Sequence, residues 1–136
     1  MNISVNPSPG FRDHPEHGIS ALPFDGVVVV TFGDVIVAST ERALLLREAN
    51  HDPVFYIPFE DIYFEFLTAS DTHTHCPFKG DASYWNVSAS GNATRDVMWA
   101  YRSPFDEMLR IKDHGAFYPN KVRIEATPRG GETADL

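Results

Sequence analysis

The stretch Thr72–Tyr84 gathers the reactive residue types of this chain. It holds the only cysteine, two of the six histidines, and a lysine set between Phe78 and Gly80. Side chains of this chemistry seldom crowd into one turn for packing alone. Cys76 could serve as a nucleophile, with His73 or His75 as its base and Lys79 stabilising the thiolate. The plainer alternative is a small buried residue bracing the chain ahead of Pro77. His73 and His75 share a face if the segment is extended, and with Cys76 and a distant His51 or His114 they could hold a metal. The His-x-His-Cys spacing matches no strict ligand pattern, so solvated or loop-satisfying histidines are expected. Neither a metal nor a cofactor is assigned.

Lys79 lies beside a glycine after a proline-rigidified turn, so the backbone aims it and leaves room for a ligand to approach. It could hold an anion or a carboxylate, or act as a base if desolvated. The alternative is an ordinary surface lysine. The glycine pattern of a phosphate-cradling loop is missing.

Arg42 and Glu48 bracket the run Ala43-Leu44-Leu45-Leu46. Residues six apart on one strand share a face, so both could point into a common cavity, or form a pair that fixes the architecture. Tyr56, Tyr84, Trp85, Trp99, Tyr101, Phe117 and Tyr118 form an aromatic set on short strands. Most such residues fill a core, but Trp99 and Tyr101 share a strand face and, with Tyr84 on the neighbouring strand, could wall a pocket for a flat ligand.

At 136 residues the chain fits one domain able to bury a core without staples. Its formal charge of -8 opposes phosphate backbones, so nucleic acid is not expected as a partner. One cysteine makes no internal disulfide and no four-cysteine zinc site. No signal peptide is visible, and the longest strongly apolar run, Val27–Phe32, is too short to span a membrane. A cytoplasmic location without membrane contact is expected, as a monomer or homodimer.

The elements needed to position these residues are mostly strands. Residues 1–25 read as an extended arm, part of which docks through Phe11, Ile19, Leu22 and Phe24. Val27–Phe32 and Val35–Ala38 form a hairpin about Gly33-Asp34. Further strands are expected at Ala43–Glu48, Val54–Ile57, Ile62–Leu67, Ala82–Ala89, Val97–Tyr101 and Lys121–Ala126. Pro58–Asp61 reads as a helical turn, Thr68–Gly80 as a central loop, and Pro104–Ile111 as one short helix stopped by Gly115. Residues 127–136 read as a flexible tail. The sum is a mainly β, antiparallel single domain.

Several motifs then occur in a fixed order: Ser39-Thr40-Glu41-Arg42-Ala43, Glu48, Pro53–Pro58, Thr74–Tyr84 with its Cys-Pro-Phe-Lys-Gly core, Trp99-Ala100-Tyr101 and Ala116-Phe117-Tyr118. Together they resemble the bacterial domain-of-unknown-function family 427 over about residues 26–126. The resemblance implies a small antiparallel fold similar to the β-tent group. It also carries a nucleotidyltransferase-like label, which this chain supports poorly: the Gly-Ser and spaced aspartates of the usual two-metal site are missing. Its recurrent motif residues are Arg42, Glu48, Tyr56, Cys76, Lys79, Tyr84, Trp99, Tyr101 and Tyr118.

The expected function is a β domain that binds a small polar or anionic molecule. Arg42 and Lys79 supply positive charge, Glu48 orients them, and Tyr56, Tyr84, Trp99, Tyr101 and Tyr118 provide walls and polar tips. The alternatives are a transferase- or hydrolase-type enzyme using Cys76 or Lys79, and a protein-interaction module without a small ligand.

Overall fold

The computed structural model describes residues 5–130. In chain order it contains a short helix α1 (Pro9–Asp13) and ten strands: β1 (Ile19–Pro23), β2 (Gly26–Phe32), β3 (Val35–Thr40), β4 (Leu44–Glu48), β5 (Val54–Pro58), β6 (Leu67–Cys76), β7 (Gly80–Ala89), β8 (Asn92–Tyr101), β9 (His114–Phe117) and β10 (Arg123–Pro128). They form a seven-stranded antiparallel sheet, ordered β1-β4-β5-β9-β8-β7-β6, and a three-stranded one, β10-β2-β3. The protein is mainly β, as its short β-branched and aromatic runs require.

Alternation along each strand divides the core into two layers. On β8, Met98 and Ala100 face the small sheet and pack with Val28, Val37 and Ile57. Trp99 and Tyr101 face the other way and pack with Leu46, Tyr56 and Tyr84. Among the described residues no sheet covers the second layer. Instead it is bordered by the N-terminal segment through Phe11 and Ile19, and by a 3-10 turn through Met108 and Ile111.

Four expectations need correction. The segment Thr68–Gly80 is not a loop: β6 and β7 pair from Leu67↔Val87 to Cys76↔Gly80, leaving only Pro77-Phe78-Lys79 as the turn. β6 is a sheet edge with mostly exposed polar side chains, so it lacks the apolar alternation that marks a half-buried strand. Ile62–Leu67 is not a strand. Phe64–Phe66 forms a 3-10 turn, where Phe64 packs edge-on against Phe59 and Trp85. The helix expected over Pro104–Ile111 is a kinked 3-10 segment at Asp106–Ile111, and Gly115 lies inside β9 rather than at its stop.

The fourth correction concerns the arm. Residues Ile19–Pro23 are a full member of the large sheet, paired with β4 from Ile19↔Glu48 to Pro23↔Leu44. Ahead of them, Ser8 caps α1: its hydroxyl accepts from the Phe11 amide at 3.2 Å and donates to the Pro77 carbonyl at 3.0 Å. The Gly10 amide donates to the same carbonyl at 2.8 Å. At the other end, β10 continues through Thr127 and Pro128, and Arg129 pairs with Asp25 at 2.6 Å. The rest of the expected tail, residues 131–136, lies outside the described residues. Among the described residues no helix is long and apolar enough to cross a membrane.

A Cβ on Gly10 would sit 2.7 Å from the Phe78 ring and 2.8 Å from the Pro77 carbonyl oxygen, whereas one on Gly18 meets nothing within 4 Å. Gly10→Ala is therefore expected to destabilise the fold by about 1–3 kcal/mol through overpacking. Gly18→Ala should stay within about 0.5 kcal/mol of the parent in the same denaturant titration.

Candidate functional site

The β6–β7 turn projects Lys79 inward. Gly80 follows at φ +122°, a backbone region that disfavours side chains, and the Lys79 carbonyl accepts from the Phe105 amide at 2.9 Å. With its backbone held, the Lys79 side chain is 9 % exposed and its Nζ donates to Glu48 Oε1 at 2.8 Å. Among the described residues Lys79 is the one charged residue classed as buried. Glu48 comes from the end of β4. Its other oxygen, Oε2, lies 2.8 Å from His17 Nε2, and His51 Nε2 is 4.0 Å away. The His17 ring stacks on Phe78, with centroids 4.3 Å apart.

Burial opposes ionisation of Glu48. Hydrogen bonds from Lys79 and His17, with the charges of Lys79 and His51, outweigh it and hold the carboxyl below its ordinary value of 4.5.

This pair stands at the wall of a cavity of about 500 Å³. Tyr56, Tyr84, Trp99, Tyr101 and Tyr118 line it, together with Cys76, His51 and Asp52. All five aromatic residues named from sequence as ligand-binding are therefore brought together. Trp85 and Phe117 turn the other way, into the layer between the sheets. The walls are cross-braced: the Trp99 indole donates to the Tyr56 hydroxyl at 3.2 Å, Tyr118 packs on Trp99 with centroids 4.5 Å apart, and the Tyr84 hydroxyl meets Thr74 Oγ1 at 2.9 Å. Burial raises the phenols of Tyr56 and Tyr101 far above their ordinary value. Burial and the neighbouring Tyr84 hydroxyl push Tyr118 up to about 12. All three are neutral hydrogen-bond donors at physiological pH. Tyr101 is only 7 % exposed, and no other described residue hydrogen-bonds its hydroxyl.

The cysteine lines the cavity, with Sγ 3.9 Å from Lys79 Nζ. The histidines expected to serve it do not. His75 points away from the cavity and meets Asp81 at 2.7 Å, and His73 is exposed. Consecutive residues on a strand face opposite sides, so His75 and Cys76 cannot both enter. His114 bonds the Lys112 carbonyl and does not line the cavity. Among the described residues no three His, Cys, Asp or Glu side chains converge to hold a metal ion.

Arg42 is the second correction to the site. β4 begins only at Leu44, so the rule for residues six apart on one strand does not reach Arg42. Its amide donates to Thr40 Oγ1, and its guanidinium spans both Asp61 oxygens at 3.1 and 3.2 Å on the exposed surface. Lys79 takes the place expected for Arg42 as the partner of Glu48. Conversely, His17 had no local signal. It lies 31 residues from Glu48, and only the docking of Phe11 and Ile19 hinted that the segment around it would reach the domain.

The family model for a domain of unknown function, DUF427, matches residues 20–127. The chain belongs to this family. The match begins inside β1 and ends inside β10, so it spans both sheets and every strand-borne residue of the cavity. His17 and the α1 contacts to Pro77 fall outside the matched DUF427 region. The nucleotidyltransferase-like name attached to DUF427 accompanies the match. A search of curated proteins found no match.

Because the folded-state pKa of Glu48 is depressed, the stability it adds is present above the unfolded value and is lost as pH falls through the folded one. The denaturation midpoint should therefore drop between pH 6 and pH 3. Glu48→Gln should be less stable at pH 6 and lose less of its stability on acidification. Equal acid sensitivity in both proteins would contradict the assigned role.

Proposed function

We propose that this domain binds a small, flat, polar molecule in the cavity at the Cys-Pro-Phe-Lys-Gly turn. The observation that carries the reading is Lys79. A buried lysine costs free energy unless it is paired, and here it is paired by Glu48 at the wall of a cavity rather than inside a packed core. Two of the ammonium protons remain for a ligand or for the thiol of Cys76. The aromatic walls offer π-faces, and the phenols offer neutral donors. Among the charged side chains lining the cavity, Lys79 is offset by Glu48 and Asp52, which favours a polar ligand over a strongly anionic one. A reducing cytoplasm, where a lone thiol stays free, suits the site.

A covalent reading is favoured by the one observation that Cys76 Sγ lines the cavity beside Lys79 Nζ. In that reading the domain is a transferase- or hydrolase-type enzyme with Cys76 or Lys79 as the reacting group.

The binding reading is checked by a thermal-shift screen against a metabolite collection, run on the parent, Lys79→Ala and Trp99→Ala. A ligand at 100 times its dissociation constant adds about 2.7 kcal/mol, a clear rise in melting temperature. The rise should vanish in both variants. If both variants stay folded and keep every hit of the parent, the cavity is not the binding site.

The covalent reading is checked by native iodoacetamide labelling. Cys76 should be carbamidomethylated near neutral pH and protected by a hit from the screen. A thiol that reacts only after denaturation removes Cys76 as the reacting group and leaves Lys79 alone in that role.

A further inference from the structure

The large sheet is not continuous beside the cavity. β5 pairs with β9 at only two positions, Ile57↔Gly115 and Pro58↔His114. The same register would next set Tyr56 opposite Ala116 and then Phe55 opposite Phe117, but no pairing is made at either position. On its other edge β5 stays paired with β4 through Leu44↔Tyr56, Leu45↔Phe55 and Leu46↔Val54. The sheet therefore splits between β5 and β9 beyond Ile57.

A second cavity, of about 360 Å³, lies at this split. Its apolar lining comes from Phe55, Phe117, Pro119 and Ile124. Phe55, Phe117 and Ile124 belong to the apolar layer between the two sheets, whereas Val54 and Trp99 belong to the layer on the opposite face. Asp52, Val54 and Trp99 line both cavities. One polar and one apolar compartment thus meet across the edge of a single indole.

The polar compartment also states what it lacks. The Tyr101 side chain is nine-tenths buried and lines the cavity that Lys79 shares, and its hydroxyl makes no hydrogen bond to another described residue. A donor whose remaining access is to the cavity is matched by a ligand oxygen that accepts. Since Glu48 already neutralises Lys79 and Asp52 adds a second carboxylate, that oxygen belongs to a neutral group rather than to a carboxylate.

We propose that the ligand is a small amphipathic molecule. Its neutral acceptor head, of the amide-carbonyl type, sits at Lys79 and Tyr101, and its apolar arm passes Trp99 through the split in the sheet. This deepens the binding reading above and rests on it.

The test uses primary n-alkyl amides from butyramide to octanamide, titrated into the full chain and followed by the indole N–H signal of Trp99 in nuclear magnetic resonance spectra. Each added methylene should tighten binding by about 4-fold while the arm fills the apolar cleft. The matching carboxylates should bind more weakly. Ile124→Asn, which makes the far wall of the cleft polar, should flatten the series.

If butyramide moves the Trp99 signal, Lys79→Ala abolishes the effect, and affinity does not grow with chain length, the split-sheet proposal is overturned while the pocket reading stands. Length dependence that persists unchanged in folded Ile124→Asn also overturns the proposal, because the arm is then buried elsewhere. If no amide moves the signal, the proposal fails, and the metabolite screen alone judges the pocket.

Discussion

The charge pair between Lys79 and Glu48 ties together parts of the chain that share nothing locally. Glu48 ends β4, Lys79 tips the β6–β7 hairpin, and His17 approaches from the N-terminal segment to the second carboxylate oxygen. An ion pair taken out of water holds only if both partners and their remaining hydrogen bonds are in place. The three segments therefore have to dock in one arrangement, and that arrangement leaves a cavity beside the pair. The N-terminal segment reinforces it from outside: Gly10 and Ser8 both bond the Pro77 carbonyl, and Phe11 and His17 pack on Phe78. Lys79 is held through its neighbours in the turn as much as through its own contacts.

The cavity also depends on how the sheets are unequal. The three-stranded sheet covers one face of the larger sheet and makes a dry layer of Val28, Val30, Val37, Ile57 and Met98. Among the described residues the other face receives α1, a 3-10 turn and the hairpin tip, which do not fill it. Bulky aromatic side chains occupy that face without closing it, and their hydroxyls remain buried, neutral and available as donors. The incomplete pairing of β9 adds a second consequence, since Ala116 and Phe117 belong to β9 yet do not pair with β5. A polar pocket and an apolar cleft meet at that defect.

Much of this was legible residue by residue. The Cys-Pro-Phe-Lys-Gly turn was recognisable as the centre of the candidate site because proline and glycine set the backbone locally and so aim the lysine between them. Tyr84, Trp99 and Tyr101 could be placed together because the period of two along a strand is a local property, whereas Tyr56 was named for the site only through the family resemblance. The same rule failed for Arg42, since the position where β4 begins depends on Thr40 and Asp61 capturing the preceding turn. It also hid β6, whose polar edge strand carries no apolar pattern and is defined by its partner β7. The 3-10 turn at Phe64–Phe66 was missed for a related reason: alternation there suggested a strand, but aromatic packing against Phe59 and Trp85 prevailed.

The sequence alone determined the family, through the order of its motifs, and also the mainly β class and the hairpin β2–β3, because short-range sterics and periodicity specify these two. The residue types at the candidate site are read directly from it. Only the tertiary structure decided that Lys79 and not Arg42 pairs with Glu48, that His17 completes the cluster, and that Cys76 faces the cavity while His75 does not. It also decided that the sheet opens beside Trp99. Those outcomes turn on burial, strand register and contacts between segments tens of residues apart. Such contacts are settled by the free energy of the whole packed chain, so no local window of sequence carries them.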